Sequence, residues 1–124
     1  MRTNKLKAVL IDPATQTVEA VELDEGLEAL RDAIHCDYVD AVSLGDGLTL
    51  WVDDEGLYSK ESPQFFEIIE TAQPIAGRGV VLMTNDSGDS VSLPEFVTAN
   101  VIRSLISFVE YDNPPEPRVE FYSF

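Results

Sequence analysis

The sequence predicts a single α+β domain, built mainly from an antiparallel sheet of hairpins that two or three helices cover. Three observations favour this fold class: short apolar runs are separated by turn residues, two or three stretches have the apolar spacing of helices, and strands and helices do not alternate regularly. The chain has 124 residues, of which 44% are hydrophobic, so it can fold around one core. We expect this domain to span residues 1–112. Residues 113–124 then form a Pro-rich linker and a short aromatic C-terminal strand or tail.

The N-terminal part predicts a hairpin followed by a helix. Residues 6–11 are almost continuously apolar, and residues 17–23 resume an extended pattern after a turn that contains Asp12 and Pro13. Asp24 is a suitable N-cap for the helix, which we expect to end near residues 35–36. One apolar stripe along it consists of Leu27, Leu30 and Ile34.

The clearest hairpin joins residues 38–44 to residues 48–52 through glycines on either side of Asp46. A three-residue loop places Leu44 opposite Leu48, whereas a two-residue loop changes the strand partners but keeps the alternation. Trp51 leaves the apolar face of this hairpin in both cases. Because the alternation is uninterrupted, we expect both strands in the central part of the sheet.

The C-terminal half predicts further elements in chain order. Residues 63–72 favour a helix with Pro63 in its first turn, although a strand over residues 65–70 is the competing interpretation. Residues 80–84 and 90–93 form another hairpin. Ser92 and Glu95 have the spacing of a capping box, which predicts a last helix that continues to residue 109. We expect residues 119–124 to pair as an edge strand, on their own sheet or on a second copy of the chain.

The charge excludes several functions. The chain has 23 acidic and 8 basic residues, and its net charge is −15. Binding to nucleic acid or to an anionic membrane needs clustered cations, which this sequence lacks, so we expect neither. A single cysteine excludes an internal disulfide. Since the sequence shows no signal peptide and no apolar run long enough for a membrane span, we expect a cytoplasmic protein.

The residues with reactive or metal-binding side chains do not predict an enzyme. His35 and Cys36 are the only histidine and the only cysteine, and neighbours in a helix rarely face each other as a catalytic pair. One histidine and one cysteine cannot assemble a zinc site, and the acidic glycine turns lack the ligand spacing of a calcium loop. We therefore expect no catalytic residue, no metal and no cofactor.

Four segments carry a resemblance to a known family. They are residues 7–13, 17–23, 50–56 and 74–82. Together they resemble a family of small uncharacterised proteins, a domain of unknown function, encoded by phages and plasmids. The resemblance covers about residues 5–93. It implies an accessory protein of a mobile element without an established activity, and it supplies no catalytic residues.

Three functional hypotheses follow. The first is a non-enzymatic accessory protein that binds a basic host protein, as a DNA mimic in its sharpest form. The second is a protein that sequesters a small molecule or a nucleotide, and the third is an acidic domain of a salt-adapted host. Trp51 is either a core residue or a partner-facing anchor. The partner-binding residues that we predict are Trp51, Asp53, Asp54, Glu55, Asp40 and Asp46.

Two further expectations concern interfaces. We expect the acidic residues around the second hairpin, Asp37 among them, to form a patch separate from the acids of the neighbouring strand and helix, which include Glu19 and Asp32. The C-terminal segment is the expected contact of a homodimer.

Overall fold

The computed structural model describes residues 5–55 and 64–109, and all structural observations refer to these two ranges. Of the described residues, 51% lie in strands and 13% in helices. The elements in chain order are β1 (Lys5–Asp12), β2 (Thr17–Asp24), α1 (Leu27–Ile34), β3 (Val39–Gly45), β4 (Leu48–Asp53), β5 (Phe65–Ile68), β6 (Gln73–Ala76), β7 (Gly79–Thr84), β8 (Ser90–Val91), α2 (Ala99–Arg103) and β9 (Ile106–Val109).

The strands form two antiparallel sheets. The larger, six-stranded sheet has the order β2-β1-β7-β4-β3, with the short β8 paired to β7. The smaller sheet has the order β6-β5-β9. Every described pairing is antiparallel, which agrees with the expected sheet of hairpins.

The predicted cover of two or three helices is wrong. The described ranges contain two short helices, of eight and five residues, and the protein is mostly antiparallel sheet. The second sheet takes the place of the missing helices on one face of the large sheet. Two segments that the sequence favoured as helices therefore have to be corrected.

Residues 63–72 contain a strand where we favoured a helix. β5 covers Phe65–Ile68, and Phe66 and Ile68, two residues apart, both enter the core between the sheets. Pairing with β6 on one side and β9 on the other satisfies the backbone of β5. Pro74, which cannot donate a ladder hydrogen bond, lies in β6 at the edge of this sheet. The competing strand interpretation was the correct one.

The long last helix is also wrong. Ser92 does not cap a helix, because its hydroxyl accepts a hydrogen bond from the backbone N–H of Lys7 at 2.9 Å. The N-cap is Thr98, whose Oγ1 accepts from the N–H of Val101 at 3.2 Å, and α2 ends at Arg103. The following apolar residues form strand β9 instead.

The second hairpin is confirmed as a hairpin, but its position differs from our expectation. The loop is the two-residue alternative, with Asp46 and Gly47 both at positive φ, and a bulge follows Ser43. Trp51 points to the other face from Leu50, as predicted, and Val42 lies opposite Leu50. The pairing of Leu44 with Leu48 expected for a three-residue loop is wrong, because the bulge brings Gly45 opposite Leu48. β4 lies inside the sheet between β3 and β7, whereas β3 forms its edge.

The large sheet has a core on each face. One face packs against the small sheet and α2, and its central residues are Val9, Leu50, Val81, Phe66 and Ile102. The other face packs against α1 through Leu6, Ala8, Val80 and Leu82, which contact Leu30 and Ile34. α1 therefore lies on the outer face of the large sheet, and the acidic residues at its two ends lie beside that face.

Candidate functional site: an acidic cleft at the end of helix α1

A cleft with a volume of about 480 Å³ lies where α1 ends and β4 ends. We call it the acidic cleft. It is lined by Arg31, Asp32, His35, Cys36, Asp37, Asp53 and Glu55. Four of these seven side chains are carboxylates. They come from the last turns of α1, the segment before β3 and the turn after β4.

The backbone at the end of α1 brings these segments together. His35 adopts a left-handed conformation, with φ 65°, and its N–H donates to the carbonyl of Arg31 at 2.8 Å. The helix therefore stops at this residue, and the chain turns towards β3. The N–H of Asp54 donates to the carbonyl of Tyr38 at 3.0 Å, which holds the turn after β4 against the start of β3. Asp53 Oδ1 accepts from the N–H of Glu55 at 2.9 Å and orders the same turn.

The negative field of the cleft acts on the thiol of Cys36. Burial raises the pKa of this thiol, and the carboxylates of Asp53 and Asp37 raise it further. A nucleophilic cysteine needs the opposite shift, because the thiolate is the reactive form. The surroundings of Cys36 thus favour the protonated thiol.

His35 is held by a different partner. The guanidinium of Arg78 donates to Nε2 of His35 at 3.2 Å and to the carbonyl of Ala33 at 3.1 Å, and it pairs with Asp12 at 3.3 Å. This arginine fastens the end of α1 to β1 and to the bend before β7. Among the hydrogen bonds of the described residues, none joins His35 to Cys36.

Residues 6–106 match a domain of unknown function (DUF3846). The chain belongs to this family. The match extends beyond the resemblance over residues 5–93 and includes α2 and the first residue of β9. No curated protein and no solved structure matches the chain.

The six residues that we predicted as partner-binding do not form one group in this DUF3846 domain. Asp53 and Glu55 line the acidic cleft, and the exposed Asp54 lies between them in the turn. Asp46 lies in the loop at the other end of the same hairpin. Asp40 lies opposite Val52, so it faces the side of the sheet away from α1.

Asp32 is the cleft residue that the prediction assigned to the wrong group. The sequence separates the acids of the helix from those of the hairpin, whereas the fold brings Asp32 beside Asp37, Asp53 and Glu55. The helical spacing shows that Asp32 lies on the exposed side of α1. It does not show that the end of β4 lies beside that helix, because this contact depends on the strand order.

Trp51 lies on the face of the large sheet that carries α1. Its indole is partly buried and packs with the cluster formed by Leu30, Ile34 and Leu82. Nε1 of Trp51 is buried and has no hydrogen-bond partner in the described part of the chain. The packing agrees with the core interpretation of this residue, and the rest of the indole lines a second cavity, at the start of α1.

Metal-binding clusters and membrane-spanning helices were sought in the described ranges. Residues 5–55 and 64–109 contain no group of three or more His, Cys, Asp or Glu side chains arranged to hold a metal ion. Neither helix in these ranges is long and apolar enough to cross a membrane.

Proposed function

We propose that this DUF3846 protein is a non-enzymatic, cytoplasmic accessory protein of a phage or plasmid that binds a basic host protein through the acidic cleft. The observation that carries the proposal is the convergence of Asp32, Asp37, Asp53 and Glu55 on one cleft. The proposed origin from a mobile element rests on the resemblance of residues 7–13, 17–23, 50–56 and 74–82.

Convergent carboxylates attract a basic partner more strongly than the same charges spread over the surface. Exposed charges separated by more than about 8–10 Å are largely screened at physiological salt, so only acids that lie close together act as one group. Among the described residues that line the cleft, Arg31 and His35 are the ones with basic side chains. A net charge of −15 adds long-range attraction, which speeds the encounter with a cationic surface.

The most specific version of this proposal is that the protein mimics DNA. Such a protein occupies the cleft of a nucleic-acid-binding protein, because its carboxylates take the places of phosphates. It would compete with DNA for that partner. Competition with DNA is therefore the property to measure.

The test loads host proteins onto immobilised double-stranded DNA and adds the purified protein at about 0.15 M salt. Wild-type protein is expected to displace a defined subset of the bound proteins. The triple variant Asp32→Asn/Asp37→Asn/Glu55→Gln should lose this displacement. Asp53 is left intact, because its Oδ1 orders the turn after β4.

The matched control removes three charges outside the cleft. Glu19, Glu70 and Glu95 are exposed and lie on β2, on the turn between β5 and β6, and before α2. The variant with glutamine at these positions should displace host proteins as the wild type does. Equal losses in both variants would mean that only the overall charge matters, as in a salt-adapted protein, and would reject the site.

Sequestration of a small molecule is the second candidate function, because two cavities larger than the acidic cleft have volumes suited to small ligands. One of about 790 Å³ lies between β1, β2 and residues 93–99. The other, of about 550 Å³, lies at the start of α1. A binding screen with the purified protein tests this function independently of any host protein.

A further inference from the structure

The cavity at the start of α1 has an apolar floor and acidic walls. The floor consists of Leu6, Leu30, Leu82 and Trp51; the three leucines are no more than 8% exposed, so the partly exposed Trp51 supplies most of its surface. The acidic residues of the walls are Asp24 and Glu25, before α1, and Asp89, in the loop between β7 and β8. We call this the tryptophan cavity.

We propose that the tryptophan cavity binds a small organic cation, an amine with a flat or compact apolar body. This inference rests on the second candidate function, sequestration of a small molecule, and does not depend on the proposed binding of a host protein. The cavity has a volume of about 550 Å³, within the range of small-ligand sites. Among the described residues that line it, none is a lysine or an arginine.

The apolar residues of the tryptophan cavity favour a ligand that has an apolar body. Leu27, at the rim, is 49% exposed, which is unusual for a leucine in the first turn of a helix that packs on a sheet. Together with the partly exposed Trp51, it supplies apolar surface to the cavity, whereas the floor leucines are buried. A hydrocarbon body that covers this surface removes it from water.

The carboxylates on the walls of the cavity and the indole ring of Trp51 favour a positively charged ligand. Asp24 pairs with Lys5 at 3.0 Å, so its charge is partly matched within the protein. Glu25 and Asp89 form no ion pair among those of the described residues. An ammonium group placed between the walls is attracted by both carboxylates, and the face of an indole ring attracts a cation as well.

The larger groove between β1, β2 and residues 93–99 does not select a charge in this way. Its walls carry Lys7 together with Glu22 and Glu95. Lys7 lies directly opposite Glu22 in the pairing of β1 with β2, so neighbouring charges of opposite sign leave the groove without a single sign of charge. The single sign of charge and the aromatic floor distinguish the tryptophan cavity.

Trp51 provides the measurement, because it is the only tryptophan in the chain and lines the cavity. The wild-type protein is titrated with phenethylamine, and the emission of Trp51 is followed. 3-Phenylpropionate has the same ring with the opposite charge, and methylammonium has the charge without the apolar body. We expect saturable binding of phenethylamine, at least about tenfold tighter than either comparison compound.

Variants separate the cavity from the general charge of the protein. The double variant Glu25→Gln/Asp89→Asn should weaken phenethylamine binding at least about threefold, and Leu27→Ser should weaken it as well. The charge control is Glu19→Gln/Asp46→Asn, because both acids are exposed and lie outside the cavity. This control should leave the affinity unchanged.

Three results would overturn the inference. The first is the absence of a saturable change in Trp51 emission up to about 10 mM phenethylamine. The second is equal affinity for 3-phenylpropionate, and the third is an equal loss of affinity in the cavity and control double variants. Circular dichroism of each variant shows that the fold is intact, so that a loss of binding is not a loss of structure.

Discussion

At the scale of single residues, Trp51 combines apolar packing with an indole N–H that has no hydrogen-bond partner among the described residues. A buried polar group without a partner costs about 1–3 kcal/mol, and Trp51→Phe removes that group while keeping most of the ring. We therefore expect this variant to change the free energy of unfolding by less than about 1 kcal/mol, because the lost packing and the removed donor oppose each other. Urea denaturation measures the change. A loss above about 2 kcal/mol would mean that Nε1 has an acceptor.

Cys36 reports the electrostatic field of the acidic cleft. Because burial, Asp53 and Asp37 raise the pKa of its thiol, the thiolate fraction at neutral pH is smaller than that of an ordinary cysteine. Alkylation by iodoacetamide should therefore be slow near pH 7 and should accelerate only as the pH rises towards the raised pKa. Asp53→Asn should shift this rate profile to lower pH, whereas Asp46→Asn at the far end of the hairpin should not. An unshifted profile in Asp53→Asn would show that its carboxylate does not act on the thiol.

The residue patterns predicted which face each side chain of β4 occupies, but not what lies beyond that face. Strict alternation places Trp51 and Leu50 on different faces of β4 in every register that the hairpin allows. The contact of the indole with α1, and of Asp32 with the end of β4, depends on strands that are distant in sequence. These contacts cannot be derived from a local pattern.

At the scale of elements, Gly79 allows the two sheets to approach each other. A Cβ atom at this position would lie 2.8 Å from Cδ1 of Leu50 and 3.0 Å from Cζ of Phe66. Gly79→Ala should therefore destabilise the protein by about 1–3 kcal/mol. Leu50→Ala alone should cost about 2–5 kcal/mol, because Leu50 is fully buried between the sheets.

A double-mutant cycle shows whether the steric cause is correct. In the Leu50→Ala background the clashing methyl group is absent, so Gly79→Ala should cost less than in the wild type. Thermal or urea denaturation of the four proteins gives the coupling energy. Additive effects would mean that the alanine at position 79 destabilises β7 for another reason.

Among the elements, the hairpins were predictable, whereas the helices predicted for residues 63–72 and for the last helical segment were not. The turn residues at positions 12–16 and 45–47 lie between alternating apolar runs, and these local signals agree with the fold. Residues 95–109 are apolar enough for either structure. Pairing of β9 with β5 gives the end of this segment a strand partner, and only residues 99–103 remain helical. Tertiary pairing thus overrides the helical spacing.

The predicted edge strand over residues 119–124 lies outside the described residues. So do the expected linker before it and the dimer contact through the C-terminal segment. Deletion of residues 119–124 tests these predictions together. We expect a lower melting temperature or, in light scattering, a smaller mass. If neither quantity changes, the segment contributes to neither the fold nor a dimer.

At the scale of the whole molecule, the composition predicts an acidic surface but not its arrangement. The charge of −15 follows from the sequence alone. The convergence of acids at the end of α1 follows from the strand order, which brings β4 beside the helix. Carboxylates that lie close together repel each other, so a binding cleft of this kind is maintained at some cost in stability.

The last prediction uses this cost to separate a binding site from general acidity. Near 0.02 M salt the Debye length is long, and Asp32→Asn/Asp37→Asn/Glu55→Gln should raise the melting temperature by about 3–5 °C for each kcal/mol of repulsion removed. The control with glutamine at positions 19, 70 and 95 removes the same charge from separate places, so its increase should be smaller. Near 0.5 M salt the difference between the two variants should disappear, because screening removes the repulsion. Equal increases at low salt would mean that the acids of the cleft repel each other no more than scattered acids do, and the surface would then fit salt adaptation better than a built site.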